Sequence, residues 1–404
     1  MKPICILVQN VYDFDVRVRR KAEALVAAGY SVDVFGLRKD GGPKEYNLRG
    51  VNVYTVSLGK QRGSLARYAF EYLSFFLWSL VKLTVEMRRK RYAVIDVNTL
   101  PDFLIFAGIF ARWMGAKLVL DMHEITPEFY MSKYEIPEQS WRIRALTVLE
   151  KWSFDFADHV VTINEPIQEL LVSRGLPREK STVVMNSADE ASLKPQTKSV
   201  PAIEAAASAA SFVMMYHGTL TRLYGLDIAI EAFASRHSEM PGAEFWILGS
   251  GTQTSELRAL IQKFKMQDKI KLIGFVSPLE IPAWLTKCDL GVLPIRRDVF
   301  LEFASPNKLP EFIVMGKAVV ISRLKAIQYY FTNDAVAFFE PNDPLALAGE
   351  MVRLYRDAGL RASMVAQARR QYAPLRWEVM KERYLTLIAE ICGHPKLIEQ
   401  SISR

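Results

Sequence analysis

Short, β-branched apolar runs alternate with longer stretches of helical period along most of this chain, the order that builds parallel βαβ units. Ile4–Gln9 reads as a buried strand, Asp15 opens a helix that Gly29 stops, and Val32–Leu37 is the next strand. Further strands are expected over Ala93–Asn98 and from Lys117 into His123, and a helix from Glu150 feeds another strand. Between Ala188 and Ala210 the periodicity fails and Pro, Lys, Ser and Ala dominate; the alternation restarts at Val213. The pattern predicts an α/β protein of two doubly wound, Rossmann-like domains, residues 1–190 and 211–375, with a linker over 191–210. At 404 residues the chain suits two domains of about 150–200 residues each.

Phe303 to Ser322 reads as loop, helix, stop and buried strand. Ser305-Pro306-Asn307 supplies turn and N-cap chemistry, Pro310 fits only a first turn, Gly316 ends the helix, and Ala318–Ile321 is an apolar strand. Lys308 and Glu311 fall on one face of the helix start, where free N–H groups and the dipole favour an anion. A cation beside an isolated carboxylate suits a nucleotide sugar, with diphosphate on the cation and two ribose hydroxyls on the carboxylate. A capped helix with a surface Lys–Glu pair has the same sequence. Upstream, Gly218 and Thr219 lie in a strand-to-helix turn where backbone can approach a phosphate, and Arg222 can neutralise it. Phe275 and Val276 close a strand over 271–276 whose edge can meet a nucleobase.

In the first half, His123, Glu124 and Glu128 follow directly on a strand, at the binding edge of an open α/β sheet. Asp15, Arg17 and Arg19 stand at the first helix start, where the arginines either steer an anionic acceptor or form a solvated face. Asp13-Phe14-Asp15 matches an Asp-x-Asp metal signature, but Asp is expected there as a cap, and no metal is assigned. The absence of GxGxxG after the first strand argues against an NAD-binding domain.

Charge changes the picture for the first domain only. Of the formal net charge of +8, residues 1–120 hold 19 Lys+Arg against 10 Asp+Glu, and the remainder 33 against 34. That asymmetry points to an anionic partner for one end of the molecule. Within it, Tyr72–Val81 is uncharged and aromatic-rich, and Arg88, Arg89, Lys90 and Arg91 close the segment. A single helix over 64–91 is about 40 Å long. It fits either a helix lying on an anionic membrane or a core helix whose basic end complements the dipole. Nucleic acid is disfavoured, because aromatics are not interleaved with the basic clusters. Three scattered cysteines, Cys5, Cys288 and Cys392, fit a reducing compartment rather than a disulfide framework. The opening apolar run is too short for a signal peptide, and no uncharged run approaches a membrane span. A cytoplasmic protein is expected, peripheral on the inner face of the plasma membrane if the membrane reading holds.

Ser-Pro-Asn-Lys-Leu-Pro-Glu-Phe followed by Gly-Lys-Ala-Val-Val resembles the donor-binding segment of glycosyltransferase family 4, enzymes of the GT-B fold. The first helix around Arg17 and Arg19, Pro101-Asp102-Phe103, and Asp121-x-His-Glu-x-x-Pro-Glu128 resemble other segments of that family in order. The resemblance implies two Rossmann-like domains facing across a cleft, with the helix at about 376–404 returning to the first domain. It implies a donor ribose on Glu311, His123 reaching the donor sugar, and retention of configuration. No metal or cofactor is implied, since a UDP- or GDP-sugar is substrate. Gly218, Thr219, Arg222, Phe275, Val276, Ser305, Asn307, Lys308 and Glu311 are the expected donor residues, with His123, Arg222 and Lys308 catalytic. Asp15, Arg17, Arg19, Glu124 and Glu128 are the expected acceptor residues. The acceptor class is a glycan or a polyprenyl-diphosphate-linked oligosaccharide. Many members carry a further Glu eight residues before Glu311; here that position is Phe303, with Glu302 one place off, and Tyr224 replaces a usual Lys. The pattern is that of the Pro-Asn-Lys branch. A GT-B nucleotide-sugar 2-epimerase and a non-catalytic membrane-associated scaffold are the alternatives.

Overall fold

The computed structural model describes residues 2–58, 65–193 and 212–393. Most of the expected linker lies outside the described residues. The chain forms two compact units, one of residues to Asn186 together with those from Glu378, the other Ser187–Trp377.

The first unit runs β1 (Pro3–Val11), α1 (Val16–Ala27), β2 (Ser31–Leu37), β3 (Glu45–Leu48), β4 (Val51–Val56), α2 (Leu65–Lys90) and β5 (Val94–Asn98). A 3-10 stretch over Asp102–Gly108 leads into α3 (Ile109–Trp113), then β6 (Lys117–Met122), α4 (Thr126–Tyr134), α5 (Trp141–Phe156), β7 (His159–Thr162), α6 (Glu165–Ser173) and β8 (Ser181–Val183). The sheet order is β3-β4-β2-β1-β5-β6-β7-β8, parallel except for β3 against β4. β5 is buried at every residue and β6 at all but Lys117, as a sheet covered on both faces requires, with Asp96, Asn98 and Asp121 the polar groups among their apolar residues. β4, near the edge, alternates buried and half-buried positions instead. The chain lays β2 and β4 on one side of β1 and then returns to add β5 on the other, so winding reverses between β1 and β5. Because crossovers between parallel strands are right-handed, α2, α3, α5 and α6 share one face of the sheet and α1 lies on the opposite face.

The second unit repeats the scheme: β9 (Phe212–His217), α7 (Leu226–Arg236), β10 (Ala243–Leu248), α8 (Thr254–Lys263), β11 (Ile270–Gly274), α9 (Ile281–Lys287) and β12 (Leu290–Leu293). It continues with α10 (Lys308–Val314), β13 (Ala318–Ser322), α11 (Lys325–Tyr330), β14 (Ala337–Phe339), α12 (Pro344–Arg356) and α13 (Ala358–Tyr372). Its sheet is wholly parallel, ordered β11-β10-β9-β12-β13-β14, and winding reverses between β9 and β12.

The last described helix, α14 (Trp377–Ile391), packs into the first unit. Tyr384 donates to buried Asp96 Oδ2 at 2.6 Å, Arg383 Nη1 to Val183 O at 3.0 Å, and Lys2 Nζ to Cys392 O at 2.8 Å.

Candidate functional site

In open α/β sheets a ligand binds beyond the carboxyl ends of the strands where the winding reverses. Each unit gathers its chemistry there.

In the second unit β9 ends at His217, and Gly218 follows with φ +126. A Cβ on Gly218 would lie 2.3 Å from Lys308 Cε, so only glycine lets the lysine cross this loop. Gly249, at the end of β10, has φ +139, and a Cβ there would meet Gly218 O at 1.8 Å. The two glycine turns pack backbone on backbone, with Gly218 N donating to Leu248 O at 2.9 Å and Leu220 N to Ser250 O at 3.1 Å.

Lys308 is the first residue of α10 and Glu311 the fourth. The Lys308 ammonium lies over the Tyr224 ring at 4.4 Å and the Tyr216 ring at 5.4 Å, a cation–π cage. Tyr224, at a position where a Lys is usual, thus stacks against Lys308. Burial lowers the Lys308 pKa to about 8 against the opposing pull of Glu311, and burial raises Glu311 to about 7 against Lys308. His217 Nε2 lies 3.3 Å from Glu311 Oε2, and burial, with Lys308 nearby, lowers the imidazole to about 3. His217 is therefore neutral, and it touches the carboxylate expected to hold the ribose. The sequence marks it only as the last residue before a Gly turn.

Arg222 is exposed in the turn after β9, its carbonyl accepting from Arg296 Nε at 3.1 Å. Phe275 is exposed just past β11, whose Gly274 carbonyl accepts from Gly249 N at 2.6 Å; the strand stops there, short of the expected Val276. Asn307 occupies the N-cap position with helical backbone, and its own side chain makes no cap bond. Leu309 N instead donates to Pro306 O at 3.1 Å. Glu302 accepts from Arg297 Nε at 2.7 Å and from Lys325 N at 2.8 Å, and Lys325 lies over the Phe303 ring at 5.0 Å. Glu302 thus braces the start of α11.

In the first unit His123 follows β6 and is buried. Its Nε2 is 3.2 Å from both Asp121 Oδ2 and Asn98 Oδ1, and its Nδ1 is 3.4 Å from Asn186 Nδ2. Two acceptors at Nε2 and a donor at Nδ1 select the neutral Nε2–H tautomer. Burial lowers the His123 pKa, Asp121 raises it and Arg17 lowers it again, with a net downward shift. Lys21 pairs with Asp121 beneath, where both are buried. Asp15 caps α1 and accepts from Arg17 Nε at 3.1 Å and Asn10 Nδ2 at 3.0 Å. Burial pushes its pKa up, but Arg17 and Asn10 outweigh that and hold it at about 2. Glu124 is raised by burial and lowered by Arg17 and Lys133, with a net rise. Asp15, Arg17, His123 and Glu124 thus share one edge, at the carboxyl ends of β1, β5 and β6.

Two expected acceptor residues are drawn elsewhere. Arg19 donates to Asp13 O at 3.1 Å and pairs with Glu23. Glu128 is buried in an ion pair with Arg174, which also binds Glu150 at 2.8 Å, and these charges cross-link α4, α5 and α6. Asp13 accepts from Tyr46 at 3.0 Å. At the end of α2, Lys90 is tied to Asp33 and Tyr54, while Arg88, Arg89 and Arg91 are exposed.

Two such units with ligand chemistry at each reversal of winding have the GT-B fold of glycosyltransferases. Sucrose-phosphate synthase from Thermosynechococcus elongatus superposes with a TM-score of 0.76 at 17% identity, covering 97% of this chain and 100% of that one. Anabaena HepE in complex with UDP-glucose gives 0.70 at 17%, over 96% and 100%. Residues 15–187 match the glycosyl transferase 4-like domain and residues 211–357 the glycosyl transferases group 1 domain. WcaL of Escherichia coli (strain K12), named for colanic acid biosynthesis, is 28% identical over 50% of this chain and 50% of its own. The D-inositol 3-phosphate glycosyltransferase of Pseudarthrobacter chlorophenolicus is 24% identical over 71% and 69%. The chain spans about half the length of WcaL. It belongs to glycosyltransferase family 4.

Proposed function

We propose that this protein transfers a sugar from a nucleoside diphosphate sugar to a glycan or polyprenyl-diphosphate-linked acceptor in the cytoplasm, with retention of configuration and without metal or cofactor. The observation that carries the reading is the convergence of Gly218, Lys308 and Glu311 at the carboxyl end of β9. Glu311 accepts from the two ribose hydroxyls, and Phe275 and Val276 meet the base. Lys308 and Arg222 face the diphosphate, with Thr219, Ser305 and Asn307 around it. When the bond from sugar C1 to the phosphate oxygen breaks, its electron pair stays on the diphosphate, and Lys308 and Arg222 take up the developing charge. The acceptor oxygen bonds to C1 on the same face, and its proton passes to the leaving phosphate. His123 meets the transferred sugar through its neutral ring, with Nδ1 the edge that can accept from a sugar hydroxyl, while Asp15, Arg17 and Glu124 flank the acceptor. The UDP-glucose in the HepE structure supports a uridine nucleotide, and the name of WcaL supports a polysaccharide acceptor.

The test is titration with UDP and turnover of UDP-sugars in EDTA with and without a lipid-linked acceptor. Glu311→Gln should weaken UDP by about 1.5–3 kcal/mol while leaving the melting temperature of the free protein unchanged. A new sugar epimer formed from donor alone would make the protein an epimerase, and unchanged UDP affinity would remove Glu311 from the site.

A further inference from the structure

The outer surface of α2, α3 and α5 carries large apolar side chains that glycosyl transfer does not use. Along α2, Phe75, Leu83 and Met87 are buried, while Leu73, Leu77 and Val81, one turn apart, face solvent, Val81 being 64% exposed. On α3 Trp113 is 75% exposed, and on α5 Trp141 and Trp152, three turns apart, are 74% and 61% exposed. Among the described residues these are the tryptophans that stand exposed, and all three lie on this layer. The helices are neighbours. The stretch Asp102–Gly108 packs against both α2 and α5, through Phe103 on Phe76 at 5.8 Å and Phe106 on Phe156 at 5.0 Å, and α2 meets α3 directly.

Charge on this layer is sorted by depth. Glu71 and Glu86 of α2 are buried with Arg67 and Lys82 beside them, and Glu150 of α5 is buried on Arg174. Exposed Asp155 is matched by Lys151 at 3.0 Å. Arg88, Arg89, Arg91, Arg142 and Arg144 reach solvent around the apolar stripe. An apolar face of this size on a single chain marks an interaction surface. Its arginine fringe selects an anionic partner, and tryptophans beside aliphatic rows suit the headgroup boundary of a bilayer.

We propose that α2, α3 and α5 form a membrane-docking face that sinks its apolar stripe into an anionic phospholipid surface, with the arginines on the headgroups. This differs from attraction by a basic cluster alone, because buried apolar area is not screened by salt.

The full chain is mixed with vesicles of phosphatidylglycerol and phosphatidylethanolamine, or of phosphatidylcholine alone. Binding is expected on the anionic vesicles, with a blue-shifted tryptophan emission quenched by brominated acyl chains. A measurable fraction should stay bound in 1 M salt, where charge attraction reaches only about 3 Å. The exposed triple variant Leu77→Glu, Val81→Glu, Trp152→Glu should lose at least tenfold in vesicle affinity at an unchanged melting temperature. Failure of the wild type to bind anionic vesicles at low salt overturns the proposal. So does complete release in 1 M salt with unshifted emission, which leaves only the basic cluster. Self-association that the triple variant abolishes, in a protein that ignores vesicles, overturns it in favour of a second copy on this face.

Discussion

Lys308 and Glu311 sit where burial works against both of their charges, with pKa values of about 8 and about 7. A ribose needs the carboxylate and a diphosphate needs the ammonium, so the competent form of the free protein is most populated between pH 7 and 8. Below about 7 Glu311 takes a proton, and above about 8 Lys308 loses one. UDP affinity should therefore peak in that window and fall by up to tenfold per pH unit on either side. Calorimetric titration from pH 5.5 to 9.5 at constant ionic strength measures it. The nucleotide's own phosphate titrates near 6 and adds a loss below that pH in every variant. Glu311→Gln should flatten the profile between pH 6 and 7 and leave the alkaline limb intact; an unaltered acid limb would assign it to another group. Lys308, Glu311 and Gly218 were legible in the sequence because a helix start and a glycine turn declare themselves in local order. His217 and Tyr224 were not, since what gives them a role is a side chain more than eighty residues away.

At the scale of elements, α14 fills a gap in the first unit with Tyr384, whose hydroxyl meets Asp96 in the middle of β5. Burial and then Asp121 raise the Asp96 pKa, Lys21 and the Tyr384 hydrogen bond oppose the rise, and the net result is a pKa of about 7. The folded value lies above the ordinary carboxyl value of about 3.9, so the protonated acid is the form that folding favours. Its contribution is full below pH 4 and is lost as pH rises through 7. Tyr384→Phe removes a donor from that acid. The cost should be about 0.5–1.5 kcal/mol at pH 6, where Asp96 is mostly neutral, and about 1.5–3 kcal/mol at pH 8, where the carboxylate is charged. Urea unfolding at the two pH values decides it, and an equal cost at both would mean that Asp96 does not titrate between them. Periodicity locates an element more readily than it orients one. The α2 segment was expected over 64–91 and forms over Leu65–Lys90, but both of its faces are apolar. With no polar face to point outward, the sequence pattern offered no means of telling the buried Phe75 from the exposed Leu77.

For the whole molecule, the alternation of strands and helices is interrupted once in the sequence, and each half contains its own reversal of winding and its own apolar core. What local order does not carry is the destination of the last helix. α14 leaves the second unit at Trp377 and belongs to the first, through contacts at Asp96 and Val183 that are remote in sequence. The division has a measurable consequence. The proposed nucleotide site uses residues of the second unit only, from β9, the Arg222 turn, Phe275 and α10. A ligand that binds only the folded form stabilises it by about 2.7 kcal/mol at 100 times its dissociation constant, and hydrogen exchange registers that as slower opening. UDP at that concentration should slow the protected amides of β9, β10, β12 and α10 by about a hundredfold, and those of β1, β5 and β6 by much less. Glu311→Gln at the same UDP concentration should lose most of the effect in the second unit. Equal slowing in both sheets would mean that the two units open as one body, and slowing confined to β1, β5 and β6 would move the nucleotide to the His123 edge.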